Sequence, residues 1–266
     1  KKIEDVIDIA AGQRDSVFLT RQGKVYALGQ NEYGWVNGIV KPLMIPTQVA
    51  NLENIIRIEF KNGVLLALNN KGELYSKGGA NNALGREIKL YKDTEIEYYP
   101  AEKVTLPSKV VDFVTNSDSA MAVIDDGSVY GSVWGWGSNN AFGLALPKPK
   151  HASTQLPQKN PYLNKIINIG VNSAVDSQGN LYTWSQYGFG ESENVISTHV
   201  YDKPFRIMQN LKPTQIVYGG LSYAVVTSDG SVWYWNDLGR RGTGEVVNTF
   251  YEDYVLTPEK SLFTLN

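Results

Sequence analysis

One short pattern returns five times along this chain of 266 residues. In each copy a glycine is followed by one residue, an aliphatic residue and then Tyr or Trp, as in QGKVYALGQNE at 22–32 and DGSVWYWN at 229–236. The opening glycines are Gly23, Gly72, Gly131, Gly179 and Gly230, so the copies lie 49, 59, 48 and 51 residues apart. A period of this length predicts a repeat architecture, in which each copy forms one small unit that stacks on its neighbours.

Three further strand-like segments accompany each copy in a fixed order. An apolar run with one polar interruption precedes it, at 5–12, 54–60, 109–114, 165–170 and 214–220. Short β-branched runs bounded by turn residues are typical of strands, and we expect these to be buried on both faces. A second apolar run follows, and a more polar segment closes the repeat after a long loop. That last segment opens at a proline in four copies, which is typical of an edge strand: Pro46, Pro100, Pro204 and Pro258.

Four strands in about 50 residues, graded from apolar to polar, are the signature of a propeller blade. The sequence therefore predicts an all-β fold, a β-propeller of four-stranded antiparallel blades with five blades. We expect a single propeller domain over 1–266. The predicted blades are 1–50, 51–105, 106–161, 162–210 and 211–266.

The amino-acid composition argues against several classes of function. The chain has no cysteine, which excludes disulfides and thiol catalysis. Its 25 basic and 27 acidic residues are spread along the sequence, without the dense cationic face that nucleic-acid binding requires. It has no apolar run near 18 residues, so we expect no membrane span, and no signal-like start is visible.

The residues that could support enzyme chemistry are few. The two histidines, His151 and His199, lie in polar segments without a triad or metal-binding spacing. The stretch GRRGTG at 239–244 lacks the Lys-Ser/Thr ending of a phosphate-binding loop, and we expect a connecting loop there. Arg240 and Arg241 in it suit a carboxylate on a partner. We predict no catalytic residue, no metal and no cofactor.

Two loops stand out as interaction candidates. Trp35 follows Tyr33 in the loop NEYGW, where we expect an exposed aromatic anchor. The segment 141–164 holds four prolines and no strand pattern, so we expect it to project, with Lys148, Lys150 and His151 at its tip. The tryptophans of the repeated third strand, Trp134, Trp136, Trp184, Trp233 and Trp235, are instead expected to pack between blades.

The stretch VIDIAAGQRDSVFLTRQGKVYALGQNEYG at 6–34 resembles the regulator of chromosome condensation repeat. That family has an apolar strand ending in Ala-x-Gly, then His-Ser, then Asp-Gly-x-Val-Tyr-x-Trp-Gly-x-Asn. GSVWGWGSNN at 131–140 strengthens the match, and the resemblance covers nearly the whole chain. Members typically have seven blades, whereas five copies occur here. The chain is therefore either a closed five-blade ring or part of a larger ring, and we expect the closed ring. Asp15-Ser16 stands where the family has His-Ser.

The resemblance implies a protein-binding propeller, most specifically an activator or guanine-nucleotide exchange factor of a Ran-type small GTPase. The alternative is a non-catalytic scaffold or enzyme inhibitor, and a third possibility is a carbohydrate-binding propeller. We expect a monomer that resides in the cytoplasm. Relatives include bacterial effectors, and if this chain is one of them, we expect it to be secreted into the host cell. The candidate partner-binding residues are Trp35, Tyr33, Lys148, Lys150, His151, Arg240, Arg241 and Asp15.

Overall fold

A computed structural model describes residues 2–36, 38, 40–61, 63–79, 82–87, 98–116, 119–125, 132–138, 153–185, 201–210, 212–218, 222–237 and 254–264. The fold is all-β, with five four-stranded sheets whose strands follow chain order. Neighbouring strands with a described register run antiparallel. Four-stranded antiparallel sheets of this kind are the blades of a β-propeller, as the sequence predicted.

The strands have these bounds. The first sheet holds β1 Val6–Ala11, β2 Asp15–Thr20, β3 Val25–Gly29 and β4 Leu43–Gln48. The second holds β5 Ile55–Lys61, β6 Val64–Asn69, β7 Leu74–Gly79 and β8 Tyr98–Lys103. The third holds β9 Val110–Thr115, β10 Ser119–Ile124, β11 Ser132–Ser138 and β12 Ser153–Lys159. The fourth holds β13 Ile166–Gly170, β14 Ser173–Asp176, β15 Leu181–Ser185 and β16 Tyr201–Met208. The fifth holds β17 Pro213–Tyr218, β18 Ser222–Thr227, β19 Ser231–Asp237 and β20 Tyr254–Thr264.

The contacts between residues within the chain divide it into two compact units. The first contains residues 1–125, 134–138 and 153–158, hence the first two sheets and most of the third. The second contains residues 126–133, 139–152 and 159–266. Each predicted blade range encloses one sheet. A single closed domain stays a prediction.

One strand was missed by sequence analysis. The segment 141–164, expected to project as a loop, contains β12 at Ser153–Lys159, the fourth strand of the third sheet. Pro157 lies within this strand, and prolines suppressed the strand signal in the sequence. The expectation of a strandless projecting segment is therefore wrong over 153–159.

The fourth strands hold their prolines at irregularities of register. Pro46, Pro100, Pro204 and Pro258 lie inside β4, β8, β16 and β20, not at the strand starts as expected. The register of each of these strands shifts across its proline. A proline lacks an N–H for the ladder, so an outer strand with a local bulge tolerates it.

The first strands of the sheets are not buried on both faces, contrary to expectation. β1, β5, β9 and β13 each shift register at their second residue, and that residue faces outward. These side chains are about half exposed: Ile7, Ile56, Val111 and Ile167, at 47, 53, 57 and 46%. A β-bulge turns one side chain out of the regular alternation, which explains the exposure.

The polar interruption in the first strand of a sheet links neighbouring sheets of the first unit. Asp8 on β1 accepts a hydrogen bond from the backbone N–H of Ile58 on β5 at 3.3 Å. Arg57 on β5 forms an ion pair with Asp112 on β9 and donates to the carbonyl of Phe113 at 2.8 Å. These bonds pair polar groups with the next blade's backbone, so the interruptions stabilise blade packing.

Glu59 takes part in the same network. Its carboxylate accepts from the Thr115 N–H at 2.9 Å and pairs with Arg57 at 3.1 Å. Burial nevertheless raises the pKa of Glu59 to about 6, because removal from water disfavours the charged carboxylate.

The glycines that open the third strands allow two blades to approach closely. Gly23 has φ +74°, and a Cβ added there would lie 2.8 Å from the Cα of Asn54. Its carbonyl accepts the N–H of Ile55, the first residue of β5, at 3.1 Å. Gly72 repeats this arrangement with Lys109 and Val110. The repeated glycine therefore permits both the left-handed turn and the hydrogen bond to the next blade.

The tryptophans of the third strands are core residues, as predicted. Trp136, Trp184 and Trp235 are fully buried, and Trp134 and Trp233 pack partly buried against the cores. The indole N–H of Trp136 donates to the carbonyl of Ala83 in the preceding blade at 2.7 Å. In the second sheet Lys77 takes the equivalent place and is only 1% exposed.

Candidate partner-binding site

The loop end of the first sheet brings together two of the predicted site residues, Asp15 and Trp35. Asp15 is the first residue of β2 and pairs with Gly29, the last residue of β3. The chain then forms a one-turn 3₁₀ helix, Glu32–Gly34, before it returns as β4. Asn31 enters this turn with φ 49°, a left-handed conformation that asparagine tolerates. The turn directs Trp35 back towards Asp15.

Trp35 is buried, contrary to expectation. Its exposed fraction is 1%, and its indole stacks on Phe60 of β5 with ring centroids 4.8 Å apart. The indole N–H donates to Asp15 Oδ2 at 3.2 Å. The prediction of an exposed aromatic anchor is therefore wrong: the neighbouring blade offers Phe60 as a stacking partner, and burial against it removes the ring from water.

Asp15 supports the loop and does not present a free carboxylate. It is 8% exposed, and its Oδ1 accepts from the backbone N–H of Asn31 at 2.7 Å. Since Oδ2 accepts from Trp35, both oxygens are engaged within the chain. The expectation that Asp15 itself contacts a partner is not supported, because removing its internal bonds would leave buried donors unpaired. Asp15 occupies the His position of the family pattern and has a structural role here.

A small cleft opens above this buried pair. It has a volume of about 110 Å³ and is lined by Gln13, Arg14, Asp15, Glu32, Trp35, Phe60 and Gly63. We call it the Asp15 cleft. Ligand sites for small molecules usually measure ~300–1,000 Å³. The Asp15 cleft is too small for that class of ligand and matches a single inserted side chain.

Two charged residues form the rim of the Asp15 cleft. Arg14 pairs with Glu32 at 3.1 Å, and their side chains are 55 and 46% exposed. Arg14 also donates to Gln30 at 3.5 Å. An exposed ion pair of this kind contributes little to stability, on the order of 0–1 kcal/mol. Both charges remain accessible to a partner, so a charged side chain of the partner can replace Arg14 or Glu32 in the ion pair.

Among the remaining predicted site residues, the described part of the chain includes Tyr33. Tyr33 lies in the 3₁₀ turn Glu32–Gly34. Lys148, Lys150, His151, Arg240 and Arg241 fall outside the described residues, so their proposed roles stay predictions. Sequence reasoning missed Arg14, Glu32 and Phe60. The sequence held a signal for Arg14 and Glu32. These opposite charges lie just outside the paired ends of β2 and β3, where Asp15 faces Gly29.

Neither a metal-binding cluster nor a membrane-spanning helix is found in the described ranges. Among those residues no group of three or more His, Asp or Glu is placed to hold a metal ion. Within the same ranges no helix is long and apolar enough to cross a bilayer.

Comparison with known proteins identifies the repeat. The family model for the regulator of chromosome condensation (RCC1) repeat matches residues 6–34. The ultraviolet-B receptor UVR8 of Arabidopsis thaliana is 26% identical over 252 residues, which covers 90% of this chain and 55% of UVR8. The regulator of chromosome condensation of Xenopus laevis is 27% identical over 279 residues, which covers 97% of this chain and 64% of that protein.

The fold agrees with a solved member of the family. The crystal structure of Prp20p from Saccharomyces cerevisiae, described with its binding to Gsp1p and histones, superposes with a TM-score of 0.72 at 19% identity. The match covers 97% of this chain and 65% of that one. The chain thus spans less than two thirds of these relatives. One RCC1 repeat is thus matched at 6–34, and the fold is similar to that of RCC1 propellers, as the resemblance implied.

Proposed function

We propose that this RCC1-repeat chain acts by binding another protein at the loop end of its first blade, and that the partner is a Ran-type small GTPase whose nucleotide release it promotes. The observation that carries the binding role is the Asp15 cleft. Its floor is fixed by the Trp35–Asp15 bond, its rim carries Arg14 and Glu32, and its volume of about 110 Å³ fits one side chain.

A rigid floor favours binding. Trp35 stacks on Phe60, and Asn31 ties the loop to β2 through Asp15, so the rim residues start from a fixed backbone. A preorganised surface loses less conformational entropy when a partner docks. An arginine beside a carboxylate also offers a bidentate donor to an acidic side chain of the partner.

The identity of the partner rests on the relatives. The Xenopus relative is named a regulator of chromosome condensation, and the yeast relative's structure is described with its binding to Gsp1p and histones. The family resemblance implies nucleotide exchange on a Ran-type GTPase. UVR8 is a receptor, so the same repeats support other activities, and the fold by itself does not select among them.

The mechanism is differential binding. A protein that holds the nucleotide-free GTPase more tightly than the loaded form lowers the affinity for nucleotide by the same factor. No covalent chemistry is needed. The charges of Arg14 and Glu32 would contribute by engaging groups that become accessible when nucleotide leaves.

The test is release of a fluorescent guanine nucleotide from a purified Ran-type GTPase, with this chain at about one hundredth of the GTPase concentration. Acceleration at that ratio requires turnover. We expect it to fall about tenfold or more when Arg14→Ala and Glu32→Ala are combined, since rim charges set the encounter and orientation. The control is Arg21→Ala, because Arg21 is exposed in the hairpin turn at the opposite end of β2.

The outcomes of this assay distinguish the alternative sites and functions. Acceleration that survives in the Arg14/Glu32 variant but not in a variant shortened between 141 and 152 would move the site to that segment; such a deletion leaves β12 intact. No acceleration with stoichiometric binding would make the chain a scaffold or inhibitor. Absence of both would refute the GTPase proposal. None of the relatives named above is a bacterial effector, so they do not support the expectation that this chain is one.

A further inference from the structure

The fourth strand of the first sheet, β4, has an unusually apolar outer edge. It is the last strand in the order β1-β2-β3-β4, so it pairs with β3 on one side only. Met44 and Ile45 are 85 and 60% exposed, and Val40, just before the strand, is 66% exposed. An edge strand presents a row of backbone N–H and C=O groups that can pair with another chain.

The other four fourth strands carry charges that β4 lacks. β8, β12, β16 and β20 contain Lys103, Lys159, Arg206 and Lys260 respectively. The sequence of β4, LMIPTQ, contains no charged residue. Lysines and arginines on edge strands oppose pairing with other chains, and β4 lacks this protection. The difference arises within one chain, between strands in the same place of the repeat.

The backbone leading into β4 is held in place. Asn31 is fully buried, donates through Nδ2 to the carbonyl of Lys41 at 3.1 Å and accepts the N–H of Val36 at 3.0 Å. The strand itself pairs with β3 at Leu43, Thr47 and Gln48, with a register shift between Leu43 and Thr47. Both ends of the strand are thus held before a partner arrives, which lowers the entropic cost of adding a strand.

We propose that β4 is a docking edge for an extended peptide segment of a partner protein, which adds to the first sheet as a further strand. Main-chain hydrogen bonds to the edge would supply affinity, and apolar side chains at alternate positions would cover Met44 or Ile45. Lys41 is the only charged residue between Glu32 and Glu53, so the preferred segment carries an acidic residue near one end and no Lys or Arg. This surface is separate from the Asp15 cleft, and the inference does not depend on the GTPase proposal.

A second copy of this chain is the weaker occupant. Pro46 removes one backbone donor from the middle of β4, and the strand shifts register around it. In a pair of two β4 strands both partners would lack that donor. Lys41 of one copy would also meet no acid in the other strand, because LMIPTQ has none. A different peptide avoids both defects.

The experiment selects binders from a displayed library of random peptides about 12 residues long, with the wild-type chain as target. Selected peptides are synthesised and their affinity for wild type, Ile45→Lys and Leu262→Lys is measured by fluorescence polarisation. Leu262 is 77% exposed on β20, so its variant adds the same charge to another edge strand. Both positions are exposed, and melting temperatures confirm that the variants fold.

The proposal expects acidic, apolar peptides that bind Ile45→Lys at least about tenfold more weakly than wild type and bind Leu262→Lys unchanged. Their binding should slow amide hydrogen exchange in β4. Selection that yields no peptide with this preference, or equal losses in both variants, would overturn it. Self-association of wild type that Ile45→Lys abolishes would assign the edge to a second copy and would also overturn it.

Discussion

The indole N–H of Trp35 donates to Asp15 Oδ2 at 3.2 Å, across 20 positions of sequence and with both side chains buried. The same carboxylate accepts from the Asn31 N–H at 2.7 Å. One aspartate therefore fixes both the start of the β3–β4 loop and the aromatic ring that packs that loop on the second blade. The shape of the proposed binding surface depends on this residue.

Asp15→Ala should destabilise the first unit by about 2–4 kcal/mol, because it leaves two buried N–H donors without acceptors. Urea unfolding followed by tryptophan fluorescence measures the effect. Arg14→Ala is the matched control, since it removes the neighbouring exposed ion pair and should cost less than about 1 kcal/mol. Similar losses in the two variants would show that Asp15 does not have the structural role assigned to it.

Gly23→Ala and Gly63→Ala separate close packing from backbone strain. Both glycines have left-handed φ values, +74° and +80°. A Cβ at Gly23 meets the Asn54 backbone at 2.8 Å, whereas nothing lies within 4 Å of one at Gly63. We expect Gly23→Ala to cost about 1–3 kcal/mol more than Gly63→Ala in urea unfolding. Equal costs would contradict the blade-approach role of the repeated glycine.

The raised pKa of Glu59 predicts that stability falls as the pH rises from about 4.5 to 6. Its folded-state pKa is raised to about 6 from 4.5, so the folded chain binds the extra proton more readily between these values. The stabilisation that Glu59 gives the folded state when it is protonated is fully present below pH 4.5 and is lost as pH rises through 6. It amounts to at most about 2 kcal/mol. Glu59→Gln should remove this pH dependence from the free energy of unfolding. An unchanged profile in the variant would refute it.

Lys77 predicts the opposite trend at alkaline pH. Burial, with a smaller effect of Arg86, lowers its pKa to about 8 from 10.5. The unfolded chain binds more protons between pH 8 and 10.5, so stability should rise across that window by up to about 3 kcal/mol. Lys77→Met should show a flatter profile when the two proteins are compared by urea unfolding at each pH. Parallel profiles would exclude a desolvated lysine.

The repeated pattern predicted most of the strands but not their irregularities. Runs such as NIIRIEF show the period of an inner strand, yet the outward turn of Ile56 depends on a bulge against β6 that no local pattern marks. β12 was missed because Pro157 lies within it, and the pairing with β11 that stabilises it is a tertiary contact.

The candidate site was located by sequence but its chemistry was not. The loop NEYGW and Asp15 were both singled out, and the structure brings them together. Their burial depends on Phe60, which lies in the next blade, 25 residues beyond Trp35, and contributes the stacking surface. An aromatic residue in a glycine-containing loop fits either an exposed anchor or a packed one, and only the neighbouring blade decides between them.

The most direct test of the proposed function compares the affinity of this chain for two states of one Ran-type GTPase, nucleotide-free and GDP-loaded, by titration calorimetry. Differential binding predicts a dissociation constant at least about a hundredfold lower for the nucleotide-free state, with the gap narrowed in the Arg14→Ala, Glu32→Ala double variant. Equal affinity for the two states, or no binding to either, would contradict the account.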